Sequence, residues 1–302
     1  MSTTTMLQLV QQATGEMGVA VPTSVAGNTT QDVVQLLALL NACGYENLRK
    51  YEWRELTKRH AFYTEFLTTT GTWTTAARTI TSIPTTTGLD TTYMVTGTGI
   101  NQNTFIASVD SGTQVTLNQD FSAAGTAAAI YFQKMKYTLP SDYEALVPRT
   151  MWDASKKWEM LGPENAQQWE WLLNGYISTG PRVRWRLFGE FFQIWPGFSN
   201  AEYLGFEYRS KGWAENAAGT AKNSFTVDTD TCIYPDRLMV LGLKLKYFEG
   251  KGFDTTALYR DYLSELEAAM ALDMSSANLS FAPRPGTVLI GYDNIPDSGY
   301  GS

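Results

Sequence analysis

At 302 residues and 33.6 kDa, with 43% hydrophobic side chains, the chain holds enough apolar material for one large or two ordinary domains. Only 18% of residues are charged and the net charge is −7, which excludes a free-standing nucleic-acid-binding domain, because phosphate neutralisation needs a basic face. Cys43 and Cys232 are too few for a disulfide scaffold or a Cys-rich metal site, and a single histidine, His60, excludes a His-paired zinc site.

In chain order, Met1–Thr5 lacks the basic and apolar regions of a secretory signal. No apolar run approaches the roughly 18 residues of a membrane span, so a cytoplasmic origin is expected. Leu7, Val10, Thr14 and Met17 recur at helical spacing, closed by Gly15 and Gly18. Thr29, three residues before Asp32, is a cap-like start for a second helix. Its Val33, Leu36, Leu37, Leu40, Gly44, Leu48 and Tyr51 share one face. In the run Lys58-Arg59-His60 the histidine reads as a helix-end cation rather than a general base. Residues 62–67 read as a strand.

Composition shifts near Thr68 and back near Gln133. The stretch between is crowded with threonine and carries only Arg78, Asp90, Asp110 and Asp120 as charges. Short β-segments at 79–83, 93–95, 105–109, 114–117 and 128–132 alternate with glycine turns. The expectation is an inserted all-β domain over 68–132, with 1–67 and 133–273 forming one discontinuous body. Leu67 and Gln133 would then lie side by side.

Beyond the insert, 136–139 is strand-like. Pro163 occupies a first helical position ahead of the stripe Trp169, Leu172, Leu173 and Tyr176. Val183, Trp185 and Leu187 alternate with Arg182, Arg184 and Arg186; with 191–195 and 203–209 they predict a β-meander. Pro235 and Asp236 open a helix carrying Leu238, Leu241, Leu245 and Phe248, stopped by Gly250 and Gly252. Asp254 can cap a last helix with Leu258, Tyr262, Leu266 and Ala269 on one face. Residues 274–302, rich in Gly, Pro and Ser, read as an extended C-terminal arm; its Val288, Leu289, Ile290 and Tyr292 are candidate interface residues. The predicted class is α+β: a helical bundle with a β-meander, interrupted by an all-β domain.

Catalytic and cofactor signals are absent. There is no P-loop and no strand-linked G-x-G-x-x-G, so no nucleotide cofactor is expected. Asp228-Thr229-Asp230-Thr231 resembles part of a calcium loop but lacks the remaining ligands and closing Glu, and reads as a turn before a helix. Arg182, Arg184 and Arg186 on one strand face are candidate interface or channel residues, with a solvated sheet face as the plainer reading. Trp152, Trp158, Trp169, Trp171, Trp185 and Trp195 read as core and subunit-interface anchors rather than stacking platforms.

Several segments, taken in order, carry a resemblance. They are Ser24-Val25-Ala26-Gly27-Asn28-Thr29, Tyr51-Glu52-Trp53-Arg54-Glu55-Leu56 and Tyr137-Thr138-Leu139-Pro140-Ser141-Asp142-Tyr143. Further along come Arg149-Thr150-Met151-Trp152-Asp153, Leu161-Gly162-Pro163, Trp169-Glu170-Trp171-Leu172 and Asp236-Arg237-Leu238. Over about residues 4–67 and 133–273 this order is similar to head-to-tail adaptor proteins of short-tailed bacteriophages, of the tail tubular protein A and tail accessory factor types. The insert, through Val95-Thr96-Gly97-Thr98-Gly99-Ile100 and Thr104-Phe105-Ile106-Ala107-Ser108-Val109-Asp110, resembles a small β-module of phage and bacterial surface proteins. The resemblance implies a non-enzymatic virion protein. It would form a homo-oligomeric ring, usually of twelve copies, between the portal protein and the tail nozzle protein, with viral DNA passing through unread. An acidic, sparsely charged chain suits a conduit that must not grip phosphate, and depleted charge suits extensive subunit contacts. The alternatives are a tail-associated cell-wall hydrolase with a carbohydrate-binding insert, and a receptor-binding or decoration protein.

Overall fold

The computed structural model describes residues 4–175 and 182–273. The chain is α+β, and the described residues form five α-helices: α1 (Met6–Met17), α2 (Gln31–Lys50), α3 (Ala166–Asn174), α4 (Asp236–Lys251) and α5 (Thr256–Asp273). The first is stopped at both ends by its sequence. Thr5 and Gln8 form a reciprocal capping box, and Gly18, at φ 70°, takes the left-handed cap that a side chain would strain. The N-cap of α2 is Thr30, one residue beyond the expected Thr29.

Helix α4 is the axis of the helical body. Leu238 to Leu243 are all buried, so the helix has no solvent face over that stretch, and α1, α2 and α5 pack around it. Two glycines set how closely they approach. A Cβ on Gly44 of α2 would come within 2.3 Å of the Trp213 ring, and one on Gly242 of α4 within 2.2 Å of Cys43 Sγ. Trp213 is fully buried there, edge-on to Phe225 and stacked with Tyr234. The Asp228–Asp230 turn ties this body to the N-terminus. Asp228 Oδ1 accepts the amides of Val25 and Ala26 at 3.0 and 2.7 Å, while the carbonyl of Asp230 accepts that of Met6 at 2.7 Å.

The strands follow in chain order: β1 (Thr57–Tyr63), β2 (Phe66–Trp73), β3 (Thr79–Ile80), β4 (Tyr93–Gly97), β5 (Ile106–Ser111), β6 (Gln114–Leu117) and β7 (Gly125–Lys134). Next come β8 (Lys136–Thr138), β9 (Tyr143–Leu146), β10 (Trp152–Asp153), β11 (Trp158–Glu159), β12 (Arg184–Phe188), β13 (Phe191–Trp195) and β14 (Tyr203–Ser210). Three two-residue strands close the series: β15 (Ala214–Glu215), β16 (Ala221–Lys222) and β17 (Thr231–Cys232). The expected single strand over 62–67 is two, because Thr64 turns the chain: its amide and hydroxyl bond the carbonyls of Glu202 and Asn200.

The threonine-rich segment builds the sheets β2-β7-β4 and β3-β6-β5 around its own buried set, including Trp73, Ile80, Val95, Val115, Ile130 and Phe132. Its ends lie side by side, with Phe66 opposite Gln133 and Leu67 opposite Phe132. Met94 and Phe105 leave that set and pack with Met135, Trp169, Leu172, Leu173 and Trp195 instead.

The predicted meander is not formed. Strands β12 and β13 make a hairpin that continues to β8, whereas β14 crosses to a second sheet, between β1 on one side and β9 and β10 on the other. The connection Pro196–Glu202 is too long for a hairpin turn. Leu204, Phe206 and Tyr208 alternate inward to meet Trp185, Phe192 and Ile194 from the first sheet. The two sheets therefore share one apolar layer. Pro163 does not begin α3 either. The helix starts at Ala166, where Asn165 and Gln168 form a second reciprocal capping box.

The sheet ends are pinned by Asp142, which accepts Lys58 Nζ from β1 and the Tyr208 and Ser210 hydroxyls from β14, each at 2.8 Å. Burial acts to raise its pKa, but these donors prevail and hold the carboxyl at about 2. A depressed pKa contributes stability above the ordinary carboxylate range that is lost as pH falls towards 2. Asp142→Asn is expected to cost about 1–2 kcal/mol at pH 7 and to flatten the loss of stability between about pH 4 and 2; urea unfolding across that range measures both. Gly44→Ala is expected to destabilise by about 1–3 kcal/mol through overpacking against Trp213, against the roughly 1 kcal/mol that alanine gains in an open helix. Gly15→Ala in α1, where a Cβ meets nothing within 4 Å, is the control and should be neutral or stabilising.

Candidate functional site

The arginine strand and the hollow beside it form the candidate site. Along β12 and the residue before it, Val183 and Trp185 are buried among Met151, Met160, Phe192 and Phe206, which turns the arginines to the opposite face. Arg184 meets Glu164 at 2.6 Å, and that carboxylate's side chain is only 7% exposed. Arg186 donates to Gln193 Oε1 at 2.8 Å, and its guanidinium lies 4.5 Å from the Trp169 ring centre and 4.9 Å from that of Phe188. Arg182 is exposed ahead of the strand. Arg184 and Arg186 are therefore engaged within the chain, whereas Arg182 lies outside the strand and makes no hydrogen bond or ion pair among the described residues. Val288, Leu289, Ile290 and Tyr292 lie outside the described residues.

Beside β12 lies a groove of about 550 Å³. Leu146, Pro148, Met151, Met160, Pro163 and Leu187 give it apolar walls, with Arg149, Glu159, Glu164 and Arg186 among its polar lining. Its floor depends on residues 161–164, which run alongside the strand: Leu161 donates to Val183 O, Trp185 to Leu161 O and Glu164 to Trp185 O, at 2.8–2.9 Å. Gly162 makes that approach feasible. At φ 152°, a Cβ there would sit 2.4 Å from the carbonyl oxygen of Trp185. Sequence reasoning missed this groove, because its walls come from three separated segments with no periodicity in common.

Other candidates resolve into structural roles. His60 is not a helix-end cation: it lies in β1 opposite Phe206, its ring 5.6 Å from Phe62 and 5.3 Å from Phe206, and burial pushes its pKa down. Among the described residues no carboxylate or hydroxyl hydrogen-bonds it. Both cysteines are buried and free, and burial pushes each thiol up to about 12, which removes them as nucleophiles at neutral pH. Asp230 is fully buried; burial opposes its ionisation, but Lys222 and the amides of Thr226 and Val227 outweigh that and lower its pKa. It is a turn anchor. Among the described residues no three His, Cys, Asp or Glu side chains group to hold a metal ion, and no helix is long and apolar enough to cross a membrane. The tryptophans divide: Trp169, Trp185 and Trp195 are buried, whereas Trp152, Trp158 and Trp171 are 40–54% exposed.

Arg184→Ala would leave Glu164 buried without its counter-charge, an expected cost of about 3 kcal/mol, whereas Arg182→Ala should stay within about 0.5 kcal/mol. Chemical denaturation of the two variants measures the contrast, and equal effects would contradict these placements. No protein-family model matches the chain, and no curated protein matches it either.

Proposed function

We propose that the chain is a structural virion protein without catalytic activity, a head-to-tail adaptor that forms a ring between portal and tail nozzle and lines the DNA exit channel. The sequence resemblance motivates the reading, and one observation supports it most. Large aromatic side chains stay exposed on a chain whose interior is already filled: Tyr63 and Phe253 at 64%, Phe188 at 60%, Trp171 at 54%. Such side chains serve as anchors when a neighbouring subunit covers them. The net charge of −7 fits a wall that lets phosphate pass.

The chain should be monomeric or weakly associated by itself, and its rings should form on the portal. Mass photometry and negative-stain imaging of the protein with and without portal test this; stable closed rings of isolated protein, or no association with portal, would contradict it. A cleared band on a bacterial cell-wall zymogram would replace it with the hydrolase reading.

A further inference from the structure

The groove beside β12 ends in an incompletely paired strand edge. Trp185 directs its N–H and C=O towards residues 161–164. By the two-residue period of a strand, Leu187 directs its own to the same side, and no described residue pairs with them. An apolar trough therefore runs past two backbone groups that have no partner among the described residues. That combination fits an extended apolar segment added to a sheet edge.

We propose that Thr287-Val288-Leu289-Ile290 of the same polypeptide occupies this groove, laid along β12 beyond Glu164. Three observations favour this occupant. The run is β-branched and apolar, and in an extended segment alternate side chains could enter the trough while the backbone meets Leu187. The tether is long enough. The described part of α5 reaches Asp273, whose carboxylate accepts the Arg54 amide at 2.8 Å, three residues before β1. From Thr57 the register passes to Arg209 and then Ala145, two strand spacings of about 4.8 Å each, next to Leu146 in the groove wall. The thirteen residues 274–286 can span up to about 45 Å. A segment so tethered competes at an effective concentration in the millimolar range. Charges also match, since Arg284 and Asp293 bracket the run and exposed Glu159 and Arg149 line the groove.

The proposal holds whether or not the chain builds a ring, and its test needs no portal. The full-length chain carrying Leu187→Cys together with either Val288→Cys or Leu289→Cys is oxidised mildly; the buried native cysteines stay out of the reaction. A link within one chain is expected, formed at least tenfold more than with Thr113→Cys, on the exposed β5–β6 turn, as the control partner. Yields equal to the control would overturn the proposal. So would links only between chains, which would assign the groove to a neighbouring copy. Independently, the triple change Val288→Asp, Leu289→Asp, Ile290→Asp should speed hydrogen exchange at the Leu187 amide at least tenfold. An unchanged rate would also overturn it.

Discussion

The seating of Trp213 on Gly44 is the contact from which the helical body is built. An indole fully removed from water occupies the space that any other residue at position 44 would fill, and this lets α2 close on the layer beneath it. Gly242 performs the same service for Cys43, where α4 meets α2. With α2 drawn in, α4 becomes interior from Leu238 to Leu243. The turn at Asp228 and Asp230 can then accept N-terminal amides, through the Asp228 carboxylate from Val25 and Ala26 and through its carbonyls from Met6 and Leu7. The aliphatic residues of α4 supply most of the apolar area, but the two glycines decide where that area is used.

The β half rests on a different device. A three-stranded and a five-stranded sheet share a layer in which Phe192 stacks against Phe206 at 4.7 Å and against Trp185 at 5.4 Å. Polar anchors stand at the margins of this layer: Asp142 at one end, Glu164 with Arg184 at the groove. Each is a charge removed from much of its water and repaid by specific donors, so each fixes an arrangement more than it adds net stability.

What could be read from the sequence follows from the range of the interactions involved. Helices α1, α2, α4 and α5 were legible because burial on one face imposes a 3.6-residue period, and Gly18 and Gly252 supply the left-handed caps. The β-segments of the threonine-rich stretch were legible from turn glycines, Gln114–Leu117 to the residue. Strand β14 was assigned to the wrong sheet, since nothing in Tyr203–Ser210 states which partners its inward side chains meet. Pro163 misled because a proline suits extended chain as readily as a helix start, and the decisive cap, Asn165 with Gln168, lies two residues later. His60 was misplaced for want of its cross-strand neighbour. The arginine alternation was visible, but Glu164, which engages Arg184 from 20 positions away, was not.

The packing of Met94 and Phe105 against Trp169 and Trp195 has a mechanical consequence. The segment that carries them is joined to the rest of the chain by the paired strands β2 and β7, which act as a stiff stem rather than a loose leash. Met94 stands in β4 beside β7, so a displacement of the segment would bear on the Trp169 indole, against which Arg186 rests. The threonine-rich segment and the arginine strand thus meet through one indole, so repositioning the segment would alter the surface on which Arg186 rests.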